Sequence, residues 1–438
     1  MSNHYSNFIS VFPRLLRVSG ECREITIHCR QEHARKILET VQEIRVFSVY
    51  GPVSDYKGWI THTPPSPFRR LENGDIVVSI ATPEEGEFAI YAGRKQEDGS
   101  LSEILTFSVY ALRDDLLRLI PLKGDFHMHS NRSDGLESPE YVAATCRKHG
   151  NDFMALTDHR KYEPSFIAIK AMKEFGCDML CCPGEEVHLP DNPVHIINFG
   201  GNSSVNELAY GDEAKYRAEV AEYQKGIPEK YDSLTRFQVA ASEWAFDRIR
   251  DAGGVAMFCH PFWRHQQHNY IGDDVIDLLM EHNRYDVLEV IGGYSPSHTE
   301  ENMLAVARWQ EEIAKGKVIP AAGVSDSHNC DGELAGWYYT IVFAKEFGFE
   351  SIAEAIRTNN CVAVHDIPGT YPLVVGPFRL TRIAYFLLRE FYPEHDELCR
   401  VEGEIMRRAI AGEEPDVRSD MASRHGTVSR FIDNCREA

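Results

Sequence analysis

The sequence predicts an α/β protein with a β-rich region in front of it, and three observations carry that prediction. Residues 1–120 hold short β-branched and aromatic runs separated by turn residues. Between 121 and 373, apolar strands alternate with amphipathic helices, the pattern of parallel strands joined by crossover helices. From 374 to 438 the pattern is helical and ends in a charged tail after Gly412.

In the first region the runs are Ile25–Cys29, Asp75–Ile80, Glu87–Tyr91 and Ile104–Tyr110, with turns such as Asn73-Gly74-Asp75 between them. They predict an antiparallel, immunoglobulin-like sandwich, with a helix interrupting it around Gln31–Ile44.

In the second region Gly124–Ser130 reads as a strand and the next helix has a built start: Ser138 at the N-cap, Pro139 at the first position and Glu140 in the first turn. Further strands are expected at Phe153–Thr157, Met179–Pro183, Val194–Gly200, Val255–His260, Val287–Ile291 and Val318–Val324. Helices are expected near Phe166–Phe175, Ser242–Ala252, Asp274–Asn283 and Glu300–Lys315. Seven or so strands suit a barrel better than an open sheet. Residues 206–235 are polar and mostly helical, an insertion over one barrel mouth. Leu380–Phe391 is an amphipathic helix of the C-terminal extension.

The chain has 438 residues and a formal net charge of −21, from 46 Lys+Arg against 67 Asp+Glu. That balance argues against a nucleic-acid polymer as partner, because phosphate chains attract basic surfaces. It leaves room for a small anionic substrate, since metals can supply positive charge locally. The eleven cysteines are irregularly spaced, and Cys177, Cys181 and Cys182 do not have zinc-finger spacing. Buried free thiols in a reducing cytoplasm are expected. The first residues lack a signal-peptide pattern, and no run reaches the length of a transmembrane helix, so no membrane partner is expected. Oligomeric state is left open.

Five strand ends carry the chemistry. The first is His127-Met128-His129-Ser130, followed by Ser133-Asp134-Gly135. Side chains alternate along a strand, so His127 and His129 point the same way, as metal-binding imidazoles would. The others are Thr157-Asp158-His159-Arg160, Gly184-Glu185-Glu186 with His195, Cys259-His260-Pro261, and Ser325-Asp326-Ser327-His328. Buried histidines and acids need partners, and a shared metal cluster is the economical one. His188 lies two residues after Glu186 and can face the same site, although a loop histidine is the more ordinary reading. Asp158 reads as an orienting group rather than a ligand. Arg132, Arg160 and Arg264 lie in the ligand-bearing loops, where arginine forks suit phosphate oxygens, as expected substrate-binding groups. His265 and His268 read as rim residues.

Taken in order over residues 124–328, these motifs resemble the polymerase-and-histidinol-phosphatase (PHP) superfamily of metal-dependent hydrolases. With the β region and the Cys361–His365 stretch, they look like the carbaryl-hydrolase-like branch. The resemblance implies a distorted barrel of seven βα units and two or three divalent ions, Zn, Mn or Fe. Carried over by position, one metal takes His127, His129, Glu186 and Asp326. A second takes Glu186, His195 and His260. A third takes Asp134, His159 and His328. Glu186, favoured over Glu185 by the family spacing, bridges the first two; alternation places the two glutamates on opposite faces.

The expected activity is a phosphoesterase acting on a small phosphate ester through a metal-bound hydroxide, with His127, His129, Glu186 and Asp326 as the catalytic group. The alternative is a hydrolase of carboxyl or carbamate esters or amides at the same metals. A third reading makes the β region a binding module that targets the catalytic barrel.

Overall fold

The computed structural model describes residues 8–51, 63–97, 100–293, 299–413 and 417–437. The first residues of the chain and part of the charged tail lie outside them. The chain divides into two compact units. One comprises Met1–Leu119, Arg382–His395 and Thr427–Ala438; the other comprises Ile120–Thr381 and Asp396–Gly426. The C-terminal helices are therefore divided between the units.

The first unit holds two four-stranded sheets. One is ordered Ile9–Phe12, Ser19–Cys29, Ile76–Thr82, Phe68–Arg70; the other Leu15–Arg17, Leu101–Leu112, Gly86–Lys95, Glu43–Ser48. Alternate residues of both, including Ile25, Ile27, Ile76, Val78, Ile90 and Val109, bury their side chains in one core. The helix expected around 31–44 is the shorter Glu32–Glu39, because Glu43–Ser48 is claimed as a strand by pairing with Gly86–Lys95.

The second unit is mixed α/β with two main sheets. The six-stranded sheet is ordered Leu180–Cys182, Phe153–Ala155, Ile120–Asp125, Tyr338–Ala344, Cys361–His365, Leu373–Val375. The five-stranded sheet is ordered Gly184–Val187, Ile196–Phe199, Val255–Phe258, Val287–Ile291, Ala321–Gly323. Single parallel bridges, Met128 to Ser327 and His159 to Glu186, tie the two sheets together where their strands end. Several strand pairs joined through a helix are parallel, as from Ile120–Asp125 to Phe153–Ala155 and from Val287–Ile291 to Ala321–Gly323.

All-parallel pairing does not hold. Ile196–Phe199 is antiparallel to both its neighbours, and Tyr338–Ala344 is antiparallel to Ile120–Asp125 and Cys361–His365. Gly184–Val187 is joined to Ile196–Phe199 by a short connection with no helix, and a parallel crossover needs a dozen or more residues. The first expected strand also starts earlier: it runs Ile120–Asp125, leaving His127 and His129 on an extended segment beyond its end.

The helix after that segment is Pro139–Lys148, with Ser138 accepting from the Tyr141 amide as the capping residue. The polar stretch expected as an insertion folds into Val205–Gly211, Glu213–Gln224 and the start of Ser233–Asp251. Asp232 caps the last of these by accepting from the Leu234 and Thr235 amides. Val205, Ala209, Tyr216, Val220 and Val239 pack into the unit's main apolar core. Among the described residues, no helix is long and apolar enough to cross a membrane. All eleven cysteines are free thiols, with Cys182 buried and Cys177 and Cys181 half-buried.

Candidate metal centre

The segments after the strand ends are bound to one another through their backbones, and this brings their side chains together. The Asp326 amide donates to the His127 carbonyl at 2.8 Å, and the His129 amide to the Ser327 carbonyl at 2.9 Å. The Glu186 amide donates to Thr157, and the Arg160 amide to the Glu186 carbonyl. Asp158 clamps the next loop: its carboxylate accepts from the amides and hydroxyls of Ser130 and Ser133, and so positions Asp134.

At the centre is Glu186, with no exposed surface. Six imidazoles present a nitrogen within 3.8 Å of its carboxylate, yet neither oxygen accepts a well-directed hydrogen bond. The imidazoles divide between the two oxygens. Oε2 faces His127 at 3.4 Å, His129 at 3.3 Å and His159 at 2.9 Å. Oε1 faces His195 at 2.7 Å, His188 at 3.3 Å and His260 at 3.8 Å. Asp326 Oδ1 closes the first side, 3.1 Å from His127 Nε2 and 2.9 Å from His129 Nε2. Asp134 lies at the outer edge, 3.3 Å from His159 Nε2 and 3.4 Å from His328 Nε2. His328 turns its other nitrogen to the Asp326 carbonyl at 2.8 Å.

Donor atoms of His127, His129, Glu186 and Asp326 lie within 4.8 Å of one another, and so do those of His129, Asp134, His159 and His328. A buried anion ringed by nitrogen donors is costly without a cation between them. Imidazoles mixed with carboxylates are also the donor set that Zn, Mn and Fe accept. The residues present therefore fit a divalent-ion cluster.

Glu185 takes no part. Its carboxylate accepts from Asn198 Nδ2, Ser204 Oγ, the Val205 amide and Asn206 Nδ2, on the opposite face of the strand. Glu289 was not singled out in the sequence, yet its Oε2 lies 3.0 Å from His127 Nδ1. An acid inside the apolar run Val287–Ile291 was the available signal.

Burial works against the charge of both central acids, but the histidines outweigh it. Burial opposes ionisation of Glu186, and His195 and His159 hold it well below the usual carboxylate range. Burial likewise opposes ionisation of Asp326, which His127 and His129 hold well below that range. Burial pushes His195 down to about 3 against the pull of Glu186, and His129 down to about 4 against Asp326. Against burial, Glu186 and Asp134 raise His159 to about 10, and Asp326 and Glu186 raise His127 well above the usual imidazole range, so metal binding displaces the protons these two carry.

The centre opens into a cleft of about 450 Å³ lined by Asp134, His159, Arg160, His188, Trp263 and Tyr270, among others. Arg160, His260 and Asp326 on this cleft have positive φ of 57°, 21° and 49°, where side chains other than glycine are strained. Of the three arginines expected at the substrate, Arg160 alone lines the cleft. Arg264 pairs with Glu300 at 2.9 Å, and Arg132 lines a separate hollow with Ser138 and Glu174. His265 and His268 are exposed on a short hairpin beyond Trp263.

Fold and donor set together define a class: a mixed α/β protein with a histidine–carboxylate cluster suited to divalent ions. No family model matches the chain. It is 37% identical over 98 residues to the DNA polymerase/3'-5' exonuclease PolX of Bacillus subtilis (strain 168). That match spans 21% of this chain and 16% of PolX. Among solved structures it is similar to a two-domain protein of Bacteroides vulgatus containing a predicted PHP-like metal-dependent phosphoesterase, at 19% identity and TM-score 0.44, over 62% of this chain and 71% of that one. It is also similar to a putative metal-dependent phosphoesterase of Bifidobacterium adolescentis, at 19% identity and TM-score 0.33, over 49% and 91% of the two chains. An amidohydrolase from Chromobacterium violaceum matches at 20% identity and TM-score 0.31, over 47% and 87%.

Proposed function

We propose that the chain is a metal-dependent hydrolase, and that it acts as a phosphoesterase on a small phosphate ester. One observation carries the reading: eight ligand-type side chains from five strand ends converge around the buried Glu186. We assign His127, His129, Glu186 and Asp326 to one ion, Glu186, His195 and His260 to a second, and Asp134, His159 and His328 to a third. The two sheets of the second unit are read as one distorted barrel with these groups at its C-terminal mouth, where such folds keep their chemistry. The closer kinship with the carbaryl-hydrolase-like branch belongs to the same proposal.

When bound, divalent ions supply Lewis acidity and a nucleophile at neutral pH. The chain's own groups do the positioning. Glu289 holds the His127 ring through Nδ1 and leaves Nε2 turned to the centre. Asp158 fixes the loop that carries Asp134. Trp263 and Tyr270, with ring centroids 4.7 Å apart, form an aromatic wall along the cleft. Arg160 on the rim is placed to meet an anionic oxygen.

The aromatic wall, together with the single arginine on the cleft, favours a second reading, hydrolysis of a carboxyl or carbamate ester or an amide. The test assays the full chain on p-nitrophenyl phosphate, p-nitrophenyl acetate, an aryl carbamate and an anilide. Metal content is measured in parallel. The expected result is phosphate-ester turnover that is lost on chelation, restored by Mn or Zn, and inhibited by inorganic phosphate. Turnover of the carbonyl substrates alone would replace the first reading with the second.

A further inference from the structure

Resting on the reading of the centre as a metal site, we infer that His188 is a further metal ligand and completes the shell on the Oε1 side of Glu186. The second ion otherwise has three protein groups, Glu186, His195 and His260. Zinc sites with three protein ligands keep a position open for water or substrate, whereas sites with four are closed. His188 supplies the fourth group from a place that the chain holds firmly.

Its Nε2 lies 3.3 Å from Glu186 Oε1, the oxygen that also faces His195 and His260. Donor atoms of His159, Glu186 and His188 lie within 4.8 Å of one another. The ring stacks on His195 with centroids 3.9 Å apart. The backbone is held on both sides: the His188 amide donates to Asn206 Oδ1 at 3.0 Å, and its carbonyl accepts from Tyr210 Oη at 2.9 Å. Both partners belong to the helix Val205–Gly211, so the polar insertion serves to aim this histidine. His188 Nε2 also stands 2.8 Å from His159 Nδ1. Two ring nitrogens so close either share one proton or turn their lone pairs toward one cation. With Glu186 poorly hydrogen-bonded and His188 Nε2 on its Oε1 side, a cation on that oxygen satisfies both groups.

The second ion then has four protein groups, as many as the first, and the third, with three, keeps a position open. Metal-free full-length protein is titrated with Zn²⁺ against a chromophoric chelator, for wild type, His188→Ala, His188→Gln and the rim control His265→Ala. X-ray absorption counts imidazoles per zinc, and circular dichroism checks each variant's fold.

The tightest zinc should weaken in both His188 variants by at least about tenfold, the lower end of what even an outer-shell partner contributes. The imidazole count at that zinc should fall, while His265→Ala follows wild type. A wild type that binds zinc with curves and imidazole counts unchanged in the two His188 variants overturns this inference alone. A wild type that takes up no zinc overturns the metal centre as well. If His188→Ala misfolds, the folded His188→Gln decides.

Discussion

Each compact unit buries a carboxylate, and the two have opposite surroundings. In the first unit Glu394 is nearly buried, faces the guanidinium groups of Arg14 and Arg30, and accepts from Ser10 Oγ at 2.9 Å. In the second unit Glu186 is wholly buried, and among the described residues its ion-pair partners are all imidazoles. Glu312, also in the second unit, is of the first kind, with Arg308, Lys315 and Lys317 around it. Burial of an acid therefore does not mark a site; the kind of partner does. Arginine and lysine are permanent cations that neutralise an acid from within the chain. An imidazole can turn a lone pair inward, so acid and imidazoles together make a nest for an ion from outside.

The largest expected effect tests the centre of that comparison. Glu186→Ala should remove two metal equivalents by elemental analysis and lower turnover at least about 100-fold, the scale of losing one preorganised electrostatic group. Asp134→Ala should cost only the outer equivalent, because among the described residues its ion-pair partners are His159 and His328. Equal metal losses in the two variants would break the assignment of Glu186 as the bridge.

Arg14→Met probes the other acid. Removing one partner of a buried ion pair should cost about 3–5 kcal/mol, read as a lower denaturant midpoint, with metal content unchanged. A loss of metal there would erase the distinction between the two carboxylates.

Glu289→Gln sharpens the role of the inner acid. It keeps the shape but weakens the hold on His127, and should reduce metal affinity by about 10–100-fold. Competition titration checks it, and an affinity equal to wild type would reduce Glu289 to packing.

The smallest effects separate the arginines. Arg264→Ala breaks an ion pair whose partner Glu300 is largely exposed. It should change stability by no more than about 1 kcal/mol and leave KM unchanged. Arg160→Ala should raise KM for an anionic substrate, and matching KM values for the two variants would remove Arg160 from the cleft's chemistry.

The sequence by itself determined which residue types stand at the strand ends, the β-rich start, the βα alternation that follows, and the Ser138 cap. These are local signals: alternation, turn residues and capping each act within a few positions of the chain. Alternation also showed that Glu185 and Glu186 point apart and that His188 follows Glu186. It did not show which face is the inner one, because a period of two is the same read from either side. Only the tertiary structure decided that, by giving Glu185 its hydrogen bonds to Asn198, Ser204 and Asn206. The antiparallel pairing of Tyr338–Ala344 with Ile120–Asp125 was likewise set by a neighbour distant in sequence, as was Glu289 beside His127. Pairings across more than a hundred residues follow from packing and connection length, and no short window of sequence contains them.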